Sequence, residues 1–138
     1  MRRQILLLRF EPQATPPAGD PPSFDIRSGA GTVTLLDGDP SDVPTEASYE
    51  THVTLTGDTS FVEEGEMAFD YGTLRLSTVG AGILEPSGEE GISKGAVTFE
   101  VVGAGRLDGV TGLLSSNFEF RTDSGTAVEH QLMRLFLP

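Results

Sequence analysis

The chain is expected to fold as an all-β domain, a single antiparallel barrel of about eight strands (seven to nine) with little helix. Three observations predict this. Apolar residues alternate with period two in one segment after another, turn chemistry built on Gly, Pro and Asp recurs between the segments, and no stretch carries a sustained 3.6-residue apolar stripe. Glycines that punctuate the strands favour a barrel over an open sheet, because closure needs sharp local bends and removes exposed edges.

The elements follow in order. Gln4 to Phe10 is a first strand. Its leading Met-Arg-Arg and apolar run resemble the start of a signal peptide, but Arg9 interrupts the run and no small-residue cleavage site follows. Residues 11–23 carry Pro12, Pro16, Pro17, Pro21 and Pro22. That density excludes a helix or a central strand and leaves a crossover or a lid over one end of the domain. A strand from Gly31 to Leu36 ends at Asp37-Gly-Asp-Pro40, and Ala47 to Thr56 sets Tyr49, Thr51, Val53 and Leu55 against Glu50, His52, Thr54 and Thr56. Strand pieces Thr59 to Val62 and Glu66 to Tyr71 flank an interruption at Glu63-Glu-Gly65, and Thr73 to Val79 follows. Residues 85–91 form a polar loop after the Gly80-Ala-Gly82 turn, which suits a bulge or tight turn in a curved sheet. The last strands are Gly95 to Val102, Leu114 to Arg121 and Thr126 to Leu137.

Composition bounds the rest. At 138 residues the whole chain, 1–138, is expected to be one domain with a substantial core. There is no Cys, which removes disulfides and thiolate chemistry and fits a cytoplasmic location. No apolar run approaches the roughly 18 residues that span a bilayer as a helix, so no membrane partner is expected. The 21 acidic residues outweigh 9 basic ones for a formal net charge of −12, and Lys94 is the one lysine. Such a surface repels phosphate backbones, which argues against nucleic acid.

The most distinctive stretch is Val101-Val-Gly-Ala-Gly-Arg-Leu-Asp-Gly-Val-Thr-Gly112, where four glycines join two alternating strands. Before it, Val97, Phe99 and Val101 share a face. After it, Leu114, Ser116, Phe118 and Phe120 share one, with Ser115, Asn117, Glu119 and Arg121 opposite. Glycine tolerates the dihedrals and the close backbone approach of such a corner. The string from Gly103 to Gly112, followed by a strand and a final hairpin, resembles the allene oxide cyclase-like barrels, a group similar to the dirigent proteins that includes bacterial spirotetronate-type polyketide cyclases. The resemblance implies a cofactor-free barrel that folds a reactive hydrophobic substrate in its lumen, with Leu114, Ser116, Phe118 and Phe120 lining it. The alternation independently picks the same face. The chain has no Trp to stack on a substrate, and Ser116 stands where a bulky residue is expected.

Other motifs are absent. The glycine spacing is not G-x-G-x-x-G and no helix follows it; no His-x-His, HExxH or Gly-x-Ser-x-Gly occurs. No metal and no cofactor is expected. On the last strand, Val128, Leu132 and Phe136 facing inward would bring His130 and Arg134 with them, whereas the opposite register sends both to solvent or to a dimer interface. His52 falls on the outer face with Glu50. Met67, Phe69 and Tyr71 share a face, either as lumen lining or as ordinary core.

Two functions of different class fit this pattern. One is a cofactor-free cyclase or isomerase acting on a small polyene or polyketide-like molecule held in a near-attack conformation. Tyr49, Tyr71 or Arg134 would polarise a carbonyl and His130 would move a proton, with Met67, Phe69, Phe99, Leu114, Ser116, Phe118 and Phe120 against the substrate. The other is a noncatalytic module that binds a small hydrophobic ligand. Apolar residues on both faces of the last strands, notably Leu113-Leu114 and Leu132 to Leu137, also predict a homodimer with Leu113 and Leu135 in its interface.

Overall fold

The computed structural model describes residues 2–138, and every regular element in it is a strand apart from two single 3₁₀ turns at Pro40–Asp42 and Gly105–Leu107. Eleven strands form one antiparallel sheet: β1 (Arg2–Phe10), β2 (Gln13–Ala14), β3 (Ser23–Arg27), β4 (Thr32–Asp37), β5 (Ala47–Leu55), β6 (Ser60–Phe69), β7 (Gly72–Thr78), β8 (Gly82–Pro86), β9 (Ile92–Ala104), β10 (Thr111–Arg121) and β11 (Ala127–Leu137). The hydrogen-bonded order is β2-β3-β5-β6-β7-β9-β10-β11-β1-β4, with β8 beside both β6 and β9. Among the described residues no helix is long and apolar enough to cross a membrane.

The all-β expectation holds, but the sheet has eleven strands where about eight (seven to nine) were expected. β1 breaks from β2 at Glu11-Pro12, where proline removes a donor. β3 breaks from β4 over residues 28–31, and β7 breaks from β8 over Val79-Gly80-Ala81, where Gly80 has φ +70°. Residues 11–23, expected as an irregular crossover or lid, contain β2 and a tight loop closed by reciprocal 2.9 Å backbone bonds between Ala18 and Ser23. The expected break at Glu63-Glu-Gly65 is absent. β6 runs through it, and Gly65 allows this because a Cβ there would strike the Glu50 carbonyl of β5.

The burial pattern shows why the sheet is stable. One face of nearly every long strand is buried, and strand residues supply most of the hydrophobic core cluster. Leu6 and Leu8 from β1, Met67 from β6, Leu74 from β7, Phe99 and Val101 from β9, Leu114 from β10 and Met133 from β11 lie between 0% and 1% exposed. Each such side chain contributes roughly 1.5–3 kcal/mol. The glycine-rich stretch is the β9–β10 corner: Gly105 and Gly109 have φ +60° and +90°, and Gly103 donates to the Val110 carbonyl at 2.8 Å. A Cβ on Gly103 would collide with the Leu107 carbonyl, so the turn folds against bare backbone.

Candidate functional site

The outermost layer of the core, where β5, β6, β10 and β11 meet, is polar. Tyr49 lies on the inward face of β5 because Ala47, Tyr49, Thr51 and Val53 alternate with exposed Glu50 and His52. Its ring meets Phe10 edge to face at 5.0 Å. Glu63 is inward on β6 between Phe61 and Met67, and its backbone is fixed where β7 ends: Glu63 N donates to Thr78 Oγ1 at 2.7 Å, and that hydroxyl donates to the Glu63 carbonyl at 2.6 Å. Glu129 is inward on β11, opposite Phe118 of β10. Both carboxyl groups are buried, at 7% and 6% exposure.

Their surroundings differ. Glu129 accepts two hydrogen bonds, from the Tyr49 hydroxyl on Oε1 and from the Ser116 hydroxyl on Oε2. Accepting on both oxygens is the role of a carboxylate. Glu63 has one hydroxyl partner, Thr51 Oγ1, which donates to Oε2 at 2.5 Å. Burial pushes the Glu63 carboxyl up to about 8, the Thr51 bond opposes that rise, and the charge of Glu129 adds to it. At neutral pH Glu63 therefore retains its proton. Burial, followed by the Glu129 charge, also raises the Tyr49 hydroxyl well above its ordinary value.

A cavity of about 50 Å³ opens onto this pair, lined by Tyr49, Glu63 and Glu129 and otherwise by apolar side chains, with Pro12, Phe24, Leu84, Phe118 and Phe120 among them. Phe61 and Phe118 meet there at 6.2 Å and 61°. No Lys, Arg or His lines it. The volume matches a polar head group or one or two waters and is far below the roughly 300–1,000 Å³ of small-molecule pockets.

The residues expected to act together are dispersed. Tyr49, Ser116, Phe118 and Phe120 surround the cavity or the carboxylate. Met67, Phe99 and Leu114, expected against a substrate, are packed in the middle of the core and line neither this cavity nor the depression beside Phe69. Phe69 and Tyr71 belong to the opposite end, beside a separate depression that also involves Arg2, Arg106 and Leu137. There the Tyr71 hydroxyl donates to the Asp42 carbonyl at 2.6 Å, and burial, with Asp70 and Asp42 nearby, pushes it up to about 12.

An inward placement of His130 and Arg134 is corrected: both are exposed, while Glu129, Gln131, Met133 and Leu135 point in. The reason is register. Leu114, Ser116 and Phe118 pair with Met133, Gln131 and Glu129 across the β10–β11 ladder, and directly opposed residues share a face. Leu135 is accordingly core at 2% exposure and belongs to no interface. His52 is exposed, as expected, with Nδ1 2.8 Å from Asp25 Oδ1.

Glu63 and Glu129 were not picked out by the sequence, although each had a signal. Glu63 continues the Phe61-x-Glu63-x-Gly65-x-Met67 alternation once Gly65 is read as part of the strand, and Glu129 follows from pairing β11 against β10. Among the described residues no group of three or more His, Cys, Asp or Glu is placed to hold a metal ion. No family model, curated protein or solved structure matches the chain.

Proposed function

We propose that the protein is a cofactor-free isomerase or cyclase that moves a proton on a small apolar substrate, with Glu129 as base and Glu63 as acid. The observation that carries this reading is the pair of buried carboxyl groups in unlike surroundings at the floor of an apolar cavity. Environments that drive two carboxyls apart assign them opposite roles. Glu129 withdraws a proton alpha to a substrate carbonyl, and neutral Glu63, whose Oε1 is not engaged by Thr51, donates a hydrogen bond to the carbonyl oxygen as negative charge develops there. Return of the proton to the far carbon of the resulting dienolate completes an isomerisation with no external oxidant. In a cyclase the same enolate carbon would add to a second carbonyl carbon of the substrate, closing the ring as that C=O π bond breaks to an alkoxide, which takes back the proton held by Glu129.

The same reading extends to architecture. We read the eleven strands as eight bent ones, β1 with β2, β3 with β4, and β7 with β8 each counting as one, closed into a barrel of the allene oxide cyclase-like kind. Support comes from the pairing of β2 with β3, the Gln13–Thr126 and Gly31–Ala47 bridges, and the Gly103–Gly112 corner. A polyene or polyketide-like substrate requires the rim to move outward, since the cavity is small. A homodimer is part of the proposal, supported by Leu7, Leu113 and Leu132, which are 41–51% exposed on neighbouring strands β1, β10 and β11.

A noncatalytic binding role is the competing reading. It is favoured by the engagement of both Glu129 oxygens, which suits a structural carboxylate. The test uses 3-cyclohexen-1-one, small enough for a modest opening, and follows formation of the conjugated ketone by ultraviolet absorbance. Wild type should convert it faster than buffer, and Glu129→Gln and Glu63→Gln should each lose about 10²-fold or more. Equal rates in folded variants would remove the carboxyls from the chemistry. Binding of the neutral dye Nile red without turnover of any β,γ-unsaturated ketone would leave the binding role.

A further inference from the structure

The cavity has a polarity that catalysis on a neutral ketone does not use. Two buried groups of its wall, Glu63 and Glu129, present acceptors, and no basic side chain lines it. Glu63 Oε1 receives no hydrogen bond. A buried carboxylate without a cation is costly, and most such groups are paired or hold a ligand. All nine basic residues of the sequence lie elsewhere than the cavity wall. Farther out, the wall becomes apolar and aromatic, with Phe24, Leu84, Phe118 and Phe120 around the entrance.

We propose that this cavity binds a primary ammonium group carried on an apolar alkyl or aryl body, the head seated between Glu63 and Glu129 and the body held by the phenylalanine rim. The dimensions agree: about 50 Å³ accommodates the head alone, and the body remains at the mouth. An ammonium brings three donors, two of which match Glu129 and the free oxygen of Glu63. The inference rests on the cavity of the proposed function but not on turnover there.

Isothermal titration calorimetry with benzylamine, benzyl alcohol and benzoate at neutral pH tests it on the intact chain. Benzylamine should bind about tenfold or more tightly than benzyl alcohol, the difference between a charge-assisted and a neutral hydrogen bond, and benzoate should not bind. Because the groups facing the head are Glu63 on β6 and Glu129 and Tyr49 on β11 and β5, with no cation among them, benzylamine should also expel a proton from Glu63. Heats measured in buffers of different ionisation enthalpy would show that release for the amine and not for the alcohol. Folded Glu129→Gln should lose the preference for the amine while keeping benzyl alcohol. Equal binding of alcohol and amine to wild type, or an unchanged preference in Glu129→Gln, overturns the inference, and the wild-type comparison decides even if that variant does not fold. Binding of the alcohol with no amine preference would defeat this inference alone, whereas failure of all three probes and of Nile red would remove the cavity reading with it.

Discussion

Replacing Glu63 by Gln should remove most of the pH dependence of stability between pH 5 and 8.5. The carboxyl titrates at 4.5 in the unfolded chain and at about 8 in the folded protein, because burial penalises its charged form. Below pH 4.5 it is protonated in both states and costs nothing. As the pH rises toward 8 the unfolded chain ionises while the folded protein stays protonated, so the unfolded state binds fewer protons and stability falls by up to about 1.4 kcal/mol per unit. Accumulated over the interval, the loss is on the order of 4–5 kcal/mol, and it levels off above the folded value. Solvent screening removes little of this, since the side chain is almost wholly buried. Gln keeps an oxygen for the Thr51 hydroxyl and cannot ionise. Other shifted groups act outside the window: Asp39 and Asp70 are lowered from 3.8, and Tyr49 and Tyr71 are raised above 10. Urea unfolding at pH 5, 6.5 and 8.5 should therefore show the wild-type midpoint falling steeply at constant slope while that of Glu63→Gln stays nearly level, the variant being the more stable protein at pH 8.5. Parallel curves for the two proteins would refute the assignment of Glu63 as a buried, neutral acid.

Two further outcomes follow from the rim and the outer face. Phe118→Ala should weaken Nile red binding and cost about 1–3 kcal/mol, below the roughly 3–5 typical of a filled core because the ring is only half-buried, while Glu119→Ala on the outer face should change neither; the reverse pattern in folded variants would invert the face assignment. Sedimentation at micromolar concentration should give about twice the 14.6 kDa monomer mass, with Leu132→Asp shifting it to monomer, and a monomeric wild type would dispose of the dimer.

Strand alternation was legible wherever only one face was apolar. On β5 and β10 the inward-facing sets, Tyr49-Thr51-Val53 and Leu114-Ser116-Phe118, are the ones the residues announce. β11 hid its register because Val128, Leu132 and Phe136 compete with Met133, Leu135 and Leu137 in apolar character, and a slip of one residue exchanges the faces. Only its partner strand decides between them. β2, β3 and β8 were missed because they are two to five residues long, too short for periodicity to exceed the background of turn residues around them. The site was obscured by a different prior: a charged residue inside a strand reads as a break or as an outer position, and Glu63 and Glu129 are neither.

The two shortest ladders of the sheet border the same cavity. β2 and β3 share two residue pairs, Gln13–Arg27 and Ala14–Ile26, and β6 and β8 share two, Ser60–Ile83 and Phe61–Gly82, whereas β9 and β10 share eleven. Pro12 and Ile26 on one side and Phe61 and Leu84 on the other line the cavity. Each ladder hydrogen bond is worth roughly 1 kcal/mol net, so these two ladders contribute a few kcal/mol and the β9–β10 ladder several times as much. Backbone pairing is thus sparse beside the two carboxyl groups and dense along the β9–β10 side of the sheet.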